Sequence, residues 1–106
     1  MSTTIRKYAS IASVKWHNES AGQHFFSPST LRFFDSRVLP TLYGAEGSIF
    51  VTSEKNPFGD PRAYTVRQIR EDGSIDTLGE FQGYATAAQA AKAAREFARA
   101  AQVDEA

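Results

Sequence analysis

The chain has 106 residues, which predicts a single domain that buries about two-thirds of the surface its unfolded chain exposes. Twelve basic and twelve acidic residues give a net charge of zero, so no overall field attracts the protein to nucleic acid or to anionic lipid. Because cysteine is absent, disulfides and thiolate chemistry are excluded. The absence of disulfides is typical of proteins in the reducing cytoplasm. No apolar run approaches the roughly 20 residues that span a bilayer. We therefore predict a cytoplasmic globular protein.

The first segment fits two patterns. Residues 1–4 are small and polar and are expected to fray, and no secretory signal is recognisable there. Apolar residues then recur with helical spacing at Ile5, Tyr8, Ile11 and Ala12. Ala12, Val14 and Trp16 also alternate with polar residues, as in a strand. We favour a strand that ends near Trp16, followed by a loop over residues 17–23.

The stretch HFFSPSTLRFF, residues 24–34, predicts a short helix. Ser27 is a suitable N-cap, and Pro28 falls at the first helical position, where its missing N–H group costs nothing. Phe26 and Leu31 have the spacing of a hydrophobic staple, which fixes how a chain enters a helix. The helix is therefore expected to run from Pro28 to about Ser36.

One phenylalanine of this stretch is left without a packing role. The helical repeat places Phe33 away from the apolar stripe of Leu31 and Phe34, beside Arg32 and Arg37. Aromatic side chains and arginine are enriched among interface anchors. We therefore predict a protein-binding patch of Phe33, Arg32 and Arg37. Three other large side chains have no predicted place in the core, namely Trp16, Tyr43 and Phe58.

The middle of the chain predicts short strands. Extended runs at 38–43 and 48–54 are joined by GAEG, and Pro40 suggests an edge strand because proline cannot donate to a ladder. Residues 62–81 predict a hairpin with a two-residue turn at Asp72-Gly73. That register pairs Arg70 with Ile75, Val66 with Gly79 and Tyr64 with Phe81. It places Tyr64, Val66, Ile75 and Phe81 on one core face.

The last element is an amphipathic helix. Thr86 and Gln89 form a capping box, in which Gln89 can reach back to the N–H group of Thr86. The helix is expected to continue to about Ala101 and to leave 102–106 frayed. Its apolar side carries Ala90, Ala94, Phe97 and Ala101, and its polar side carries Lys92, Arg95, Glu96 and Arg99. The fold class is α+β, an antiparallel sheet of about three to five strands with helices on one face.

Residues for catalysis or metal binding are sparse. The two histidines, His17 and His24, lie in a predicted loop without metal-ligand spacing, and no GxSxG motif is present. The acidic residues are scattered over turns and strand faces. We therefore predict no metal, no cofactor and no enzymatic activity.

Nucleic-acid binding is the alternative function. Lys92, Arg95 and Arg99 form a basic stripe on the last helix, and Arg67 and Arg70 lie on the hairpin. A sheet that presents arginine and tyrosine can stack single-stranded bases. The same charges are also what any solvated helix or strand face carries.

Several stretches together resemble a group of small proteins, without assigned function, that bacteriophages and other mobile elements encode. The resemblance covers about residues 24–100 and is carried by HFFSPSTLRFFDSRV, FVTSEK, PRAYTVRQI and DGSIDTLGEFQGYAT. It implies no catalytic residue. It does imply a setting in which compact accessory proteins, such as anti-CRISPR proteins, inhibit a host defence complex by occupying its surface. The expected partner is therefore a host protein complex, with a CRISPR effector as one candidate.

Overall fold

The computed structural model describes residues 7–33, 36–55 and 62–105. In chain order the elements are α1 (Ile11–Ser20), α2 (Pro28–Phe33), β1 (Arg37–Val38), β2 (Ile49–Glu54), β3 (Ala63–Ile69), β4 (Ile75–Leu78) and α3 (Ala87–Glu105). The predicted α+β class is confirmed. Within these residues, no helix combines the length and the apolar character needed to cross a membrane.

The four strands form one antiparallel sheet in the order β1-β2-β3-β4. Each strand pairs with its neighbour in the chain, so the sheet is a simple meander. Pro40 follows the short edge strand β1, where its missing N–H group breaks no ladder. Every residue of β2 is buried, which requires both faces of the sheet to be covered.

Two hydrophobic clusters cover the two faces. We call one the α3 face, and its buried members are Ile49, Val51, Val66, Ala90, Ala93 and Ala94. We call the other the α1 face, and its buried members are Tyr8, Val14, Phe26, Leu42, Phe50 and Ile69. Successive residues of a strand point to opposite faces, which is why Phe50 joins the α1 face and its two neighbours join the α3 face. The helices are therefore divided between the faces instead of sharing one.

The strand predicted to end near Trp16 is wrong, because residues 11–20 form α1. Val14 and Asn18 are the buried residues of this helix, and Ile11 packs against the α1-face cluster. This spacing of three and four residues is helical. Trp16, which completed the apparent alternation, is 71 % exposed. The predicted loop over 17–23 is correspondingly shorter, since the helix includes residues up to Ser20.

The β3–β4 hairpin exists, but its predicted register is wrong by one residue. Ile69 pairs with Ile75, and Val66 pairs with Leu78. The loop has three residues, and its last one, Gly73, has a φ of 85°, as in hairpins that close with a glycine bulge. A shift of one residue sends side chains to the opposite face. Phe81 lies beyond the end of β4 instead of at its predicted core position, and it is 45 % exposed.

Helix α1 docks directly on this hairpin loop. The side-chain amide of the fully buried Asn18 donates to the Gly73 carbonyl at 2.8 Å. A Cβ atom at Gly73 would collide with the Cβ atom of Ala21 and lie 3.1 Å from the His17 carbonyl oxygen. Glycine is therefore needed at this position for its backbone conformation and for the close approach of the helix.

The predicted helix caps are present. The Ser27 hydroxyl accepts from the Thr30 N–H group at 3.4 Å. The described part of α2 is Pro28–Phe33, and Ser36, its predicted last residue, is not helical. At α3, the Thr86 hydroxyl accepts from the Gln89 N–H group at 3.1 Å. The Gln89 side chain accepts from the N–H group of Ala85, one residue before the predicted donor. Helix α3 continues to Glu105, beyond its predicted end.

Candidate functional site

Polar side chains occupy the α1 face where β2 and β3 meet. Thr52 pairs with Thr65 across the two strands, and both residues are fully buried together with Glu54. Arg67 lies two residues further along β3 and therefore points to the same face. This end of the sheet holds a hydrogen-bonded polar cluster where the rest of the face holds apolar side chains.

The Arg67 guanidinium is held in one orientation. Its central carbon lies 5.3 Å from the ring centroids of both Phe25 and Phe81, a distance at which a cation and an aromatic ring attract. Its Nε atom donates to the Thr52 hydroxyl at 3.1 Å, and its Nη1 atom donates to the Thr77 hydroxyl at 2.8 Å. The side chain is 12 % exposed. The cation is thus preorganised at the edge of the core.

Glu54 compensates this charge only in part. Its Oε1 atom lies 3.8 Å from Nη2 of Arg67 and accepts a hydrogen bond from the Thr65 hydroxyl at 2.5 Å. Its buried Oε2 atom has no hydrogen-bond partner within the described residues. Burial lowers the pKa of Arg67 and the nearby Glu54 carboxylate raises it, with burial the larger effect.

A pocket of about 460 Å³ opens over this arginine. Its lining includes the aromatic residues Phe25 and Phe81 together with Arg67. The remaining lining residues come from α2 and the segment after it, namely Ser29, Thr30, Leu31 and Ser36. The pocket therefore combines apolar walls with one cation and three hydroxyl groups, and we call it the Arg67 pocket.

A second concavity lies along α1, outside the predicted patch. Its volume is about 550 Å³, and its lining is mostly apolar, formed by Lys7, Tyr8, Ala12, Ser13, Trp16 and His17. Trp16 is the most exposed large apolar residue among those described. We call this surface the Trp16 groove. The prediction left Trp16 without a core role but did not place it on a helix.

Two of the residues that line the Trp16 groove, Tyr8 and His17, contact each other. The Tyr8 hydroxyl lies 2.6 Å from His17 Nδ1, and the two rings stack with centroids 5.8 Å apart. The Lys7 ammonium lies 5.6 Å from the Tyr8 ring centroid. Burial raises the pKa of Tyr8, against the lowering effect of Lys7.

The predicted protein-binding patch is partly visible. Arg32 and Arg37 are both exposed. The side chain of Phe33 lies outside the described part of the chain, as does Phe58, so their exposure stays a prediction. Tyr43, also predicted to lack a core role, packs against the cluster on the α3 face.

The predicted nucleic-acid surface is divided between two faces. Its helical part is exposed, with Lys92, Arg95 and Arg99 all on α3. Arg67, however, lies on the α1 face of the sheet and is largely buried there. Arg70 is about half exposed and pairs with Asp76, with Nε and Oδ2 at 2.5 Å. Tyr64, the tyrosine of β3, packs against the α3-face cluster and does not lie beside these arginines on an open face.

Possible metal ligands do not gather in the part of the chain that the structure covers. Residues 7–33, 36–55 and 62–105 contain no group of three histidine, aspartate or glutamate side chains that could hold a metal ion. His24 is exposed, and His17 is half-buried against Tyr8.

Comparison with known protein families gives a match over most of the chain. The model of a family described as a family of unknown function (DUF7447) matches residues 10–95, which is most of the chain. No curated protein and no solved structure matches it.

Proposed function

The chain belongs to the DUF7447 family, which has no assigned function, and we propose that it is a non-enzymatic protein-binding module. In this proposal a phage or another mobile element encodes the protein. It inhibits a host defence complex by steric occlusion, in the manner of an anti-CRISPR protein. The exposed Trp16 beside its groove is the observation that supports the proposal best.

Trp16 has the properties of an interface anchor. Helix α1 is fixed to the sheet by its buried residues Val14 and Asn18, so the exposed indole is presented on a rigid support. Tryptophan is among the residues most enriched in binding hot spots. An exposed indole next to a mostly apolar groove offers a partner a large area to cover at little entropic cost.

The charges around the groove indicate the chemistry of the partner. Lys7 lines the groove and Lys15 is exposed on α1 next to Trp16. A protein that presents an apolar side chain flanked by acidic residues would complement this surface. The predicted patch of Phe33, Arg32 and Arg37 adds cations on α2 and β1, and we keep it in the proposal as a second contact.

The test is a phage restriction assay in bacteria that carry defined defence systems. Wild-type protein is expected to relieve restriction by at least one CRISPR-type system and to co-purify with its effector. Trp16→Ala is expected to abolish relief, because loss of a tryptophan anchor costs about 2 kcal/mol or more, roughly thirtyfold in affinity.

Ser20→Ala is the matched control, since it changes an exposed residue of the same helix that does not line the groove. It should retain most of the relief, and both variants should melt at the temperature of the wild type. Undiminished relief by Trp16→Ala would refute the role of the groove. Failure of the wild type against every defence system would refute the proposed inhibition.

Nucleic-acid binding is a second candidate, favoured by the exposed stripe on α3. Lys92, Arg95 and Arg99 are spaced by three and four residues and so lie on one side of the helix. Binding to single-stranded DNA should weaken steeply with salt and be lost when all three are changed to glutamine. A fluorescence anisotropy titration measures this directly. Absence of binding at low salt, or an affinity independent of salt, would exclude this candidate.

A further inference from the structure

The Arg67 pocket has unused hydrogen-bond donors. Arginine carries five N–H groups, and two of those on Arg67 donate to the hydroxyls of Thr52 and Thr77. The other three donate to no residue that the structure describes. A cation that is held between two rings and by two hydroxyls keeps its orientation when a ligand arrives.

From this geometry we infer that the Arg67 pocket binds a small ligand that carries a carboxylate on an apolar body. The remaining N–H groups of Arg67 match a carboxylate, whose two oxygens can each accept. The Ser36 hydroxyl, which also lines the pocket, supplies a further donor. The hydroxyls of Ser29 and Thr30 already contact the Ser27 hydroxyl, at 3.3 and 2.9 Å. The inference concerns the α2 side of the molecule and does not depend on docking at the Trp16 groove.

The buried glutamate decides between carboxylate and phosphate. Glu54 lies 3.8 Å from the guanidinium and is fully buried, so it already offsets part of the positive charge. Glu54 repels any anion that enters the pocket, and it repels a doubly charged phosphate about twice as strongly as a carboxylate at the same distance. A singly charged carboxylate is therefore a better fit than a phosphate dianion.

The walls define the rest of the ligand. Phe25, Phe81 and Leu31 are the large apolar side chains of the lining. A volume of about 460 Å³ falls in the lower half of the range for small-molecule sites, which is about 300–1,000 Å³. An aromatic or branched aliphatic acid satisfies both the walls and the volume. The acid can be a free molecule or the carboxyl terminus of a peptide that ends in an apolar residue.

The inference is tested by nuclear magnetic resonance titration of the full chain with benzoate, benzamide and inorganic phosphate. Benzoate should shift the Arg67 Nε–H signal and the backbone signals of Phe25, Ser36 and Phe81 in a saturable way. Benzamide has the same shape without the charge, and both it and phosphate should bind at least about tenfold more weakly. Equal affinity for benzoate and benzamide, or benzoate shifts that map elsewhere, would overturn the inference.

Two variants make the result specific. Arg67→Gln should weaken benzoate binding by at least about tenfold, as expected for loss of a charged hydrogen-bond donor. Phe81→Ala removes a half-exposed wall and should weaken it severalfold, which keeps the test valid should Arg67→Gln fail to fold. Trp16→Ala should bind benzoate like the wild type. Unchanged benzoate affinity in Phe81→Ala or in folded Arg67→Gln would overturn the assignment.

The source of the carboxylate is resolved with a short peptide that ends in phenylalanine, prepared with a free and with an amidated terminus. Binding of the free form alone supports the pocket as a receptor for a peptide terminus. Binding of benzoate without either peptide supports a free acid. Equal binding of both peptide forms at the pocket would contradict recognition of a carboxylate.

Discussion

Substitution of Gly73 by alanine is expected to destabilise the protein by detaching α1 from the hairpin loop. An alanine at φ 85° pays about 1–2 kcal/mol for the left-handed backbone. Its Cβ atom also collides with Ala21, and relief of that clash moves the end of α1. The Asn18 amide then loses its bond to the Gly73 carbonyl, which costs about 1–3 kcal/mol for a buried polar group. The total loss is about 2–5 kcal/mol.

Urea denaturation followed by circular dichroism measures this loss, and Gly22→Ala is the matched control. Gly22 has a φ of 80° but nothing within 4 Å of an added Cβ atom, so it should lose only the backbone contribution, about 1–2 kcal/mol. Adding Ala21→Gly to Gly73→Ala should restore part of the difference. Equal destabilisation by Gly73→Ala and Gly22→Ala would refute the close approach of α1 to the loop.

Two further predictions concern α3 and the hairpin loop. Ala94→Leu should lower the free energy of unfolding by about 1–3 kcal/mol, because it overpacks a fully buried position. Ala88→Leu, on the exposed side of the same helix, should change it by no more than about 0.5 kcal/mol. Equal urea midpoints for the two variants would refute this prediction. The hydroxyl and N–H groups of Ser74 lower the pKa of Asp72 from its ordinary value of 3.8. The ionised Asp72 carboxylate therefore stabilises the folded state slightly at pH values above its ordinary pKa. This stabilisation is lost as the pH falls through the lower pKa that Asp72 has in the folded protein. Titration of Asp72 by nuclear magnetic resonance checks the direction, and Asp72→Asn should remove this pH dependence.

Local sequence determined the parts of the fold that local chemistry controls. The caps at Ser27 and Thr86 followed from hydroxyl side chains at helix starts, because these bonds close within three residues. The two sides of α3 followed from helical spacing, since Ala90 and Ala94 are buried and Lys92 is exposed. The α+β class followed from the order of these elements.

Tertiary structure decided what depends on residues far apart in the chain. The turn preference of Asp72-Gly73 predicted a hairpin register that is wrong by one residue. In the observed three-residue loop, Gly73 lies against α1. Residues 5–16 carried both periodicities, and the structure forms a helix over 11–20, in which Val14 and Asn18 are buried together.

The Arg67 pocket was beyond sequence reasoning for the same reason. Arginine on a strand is ordinarily solvated, and the prediction treated Arg67 as part of a nucleic-acid surface or of a solvated strand face. Its burial requires Phe25 from the segment before α2 and Phe81 from the segment after β4. No local pattern encodes that meeting, because the free energy that buries an arginine comes from contacts that exist only once the sheet has formed.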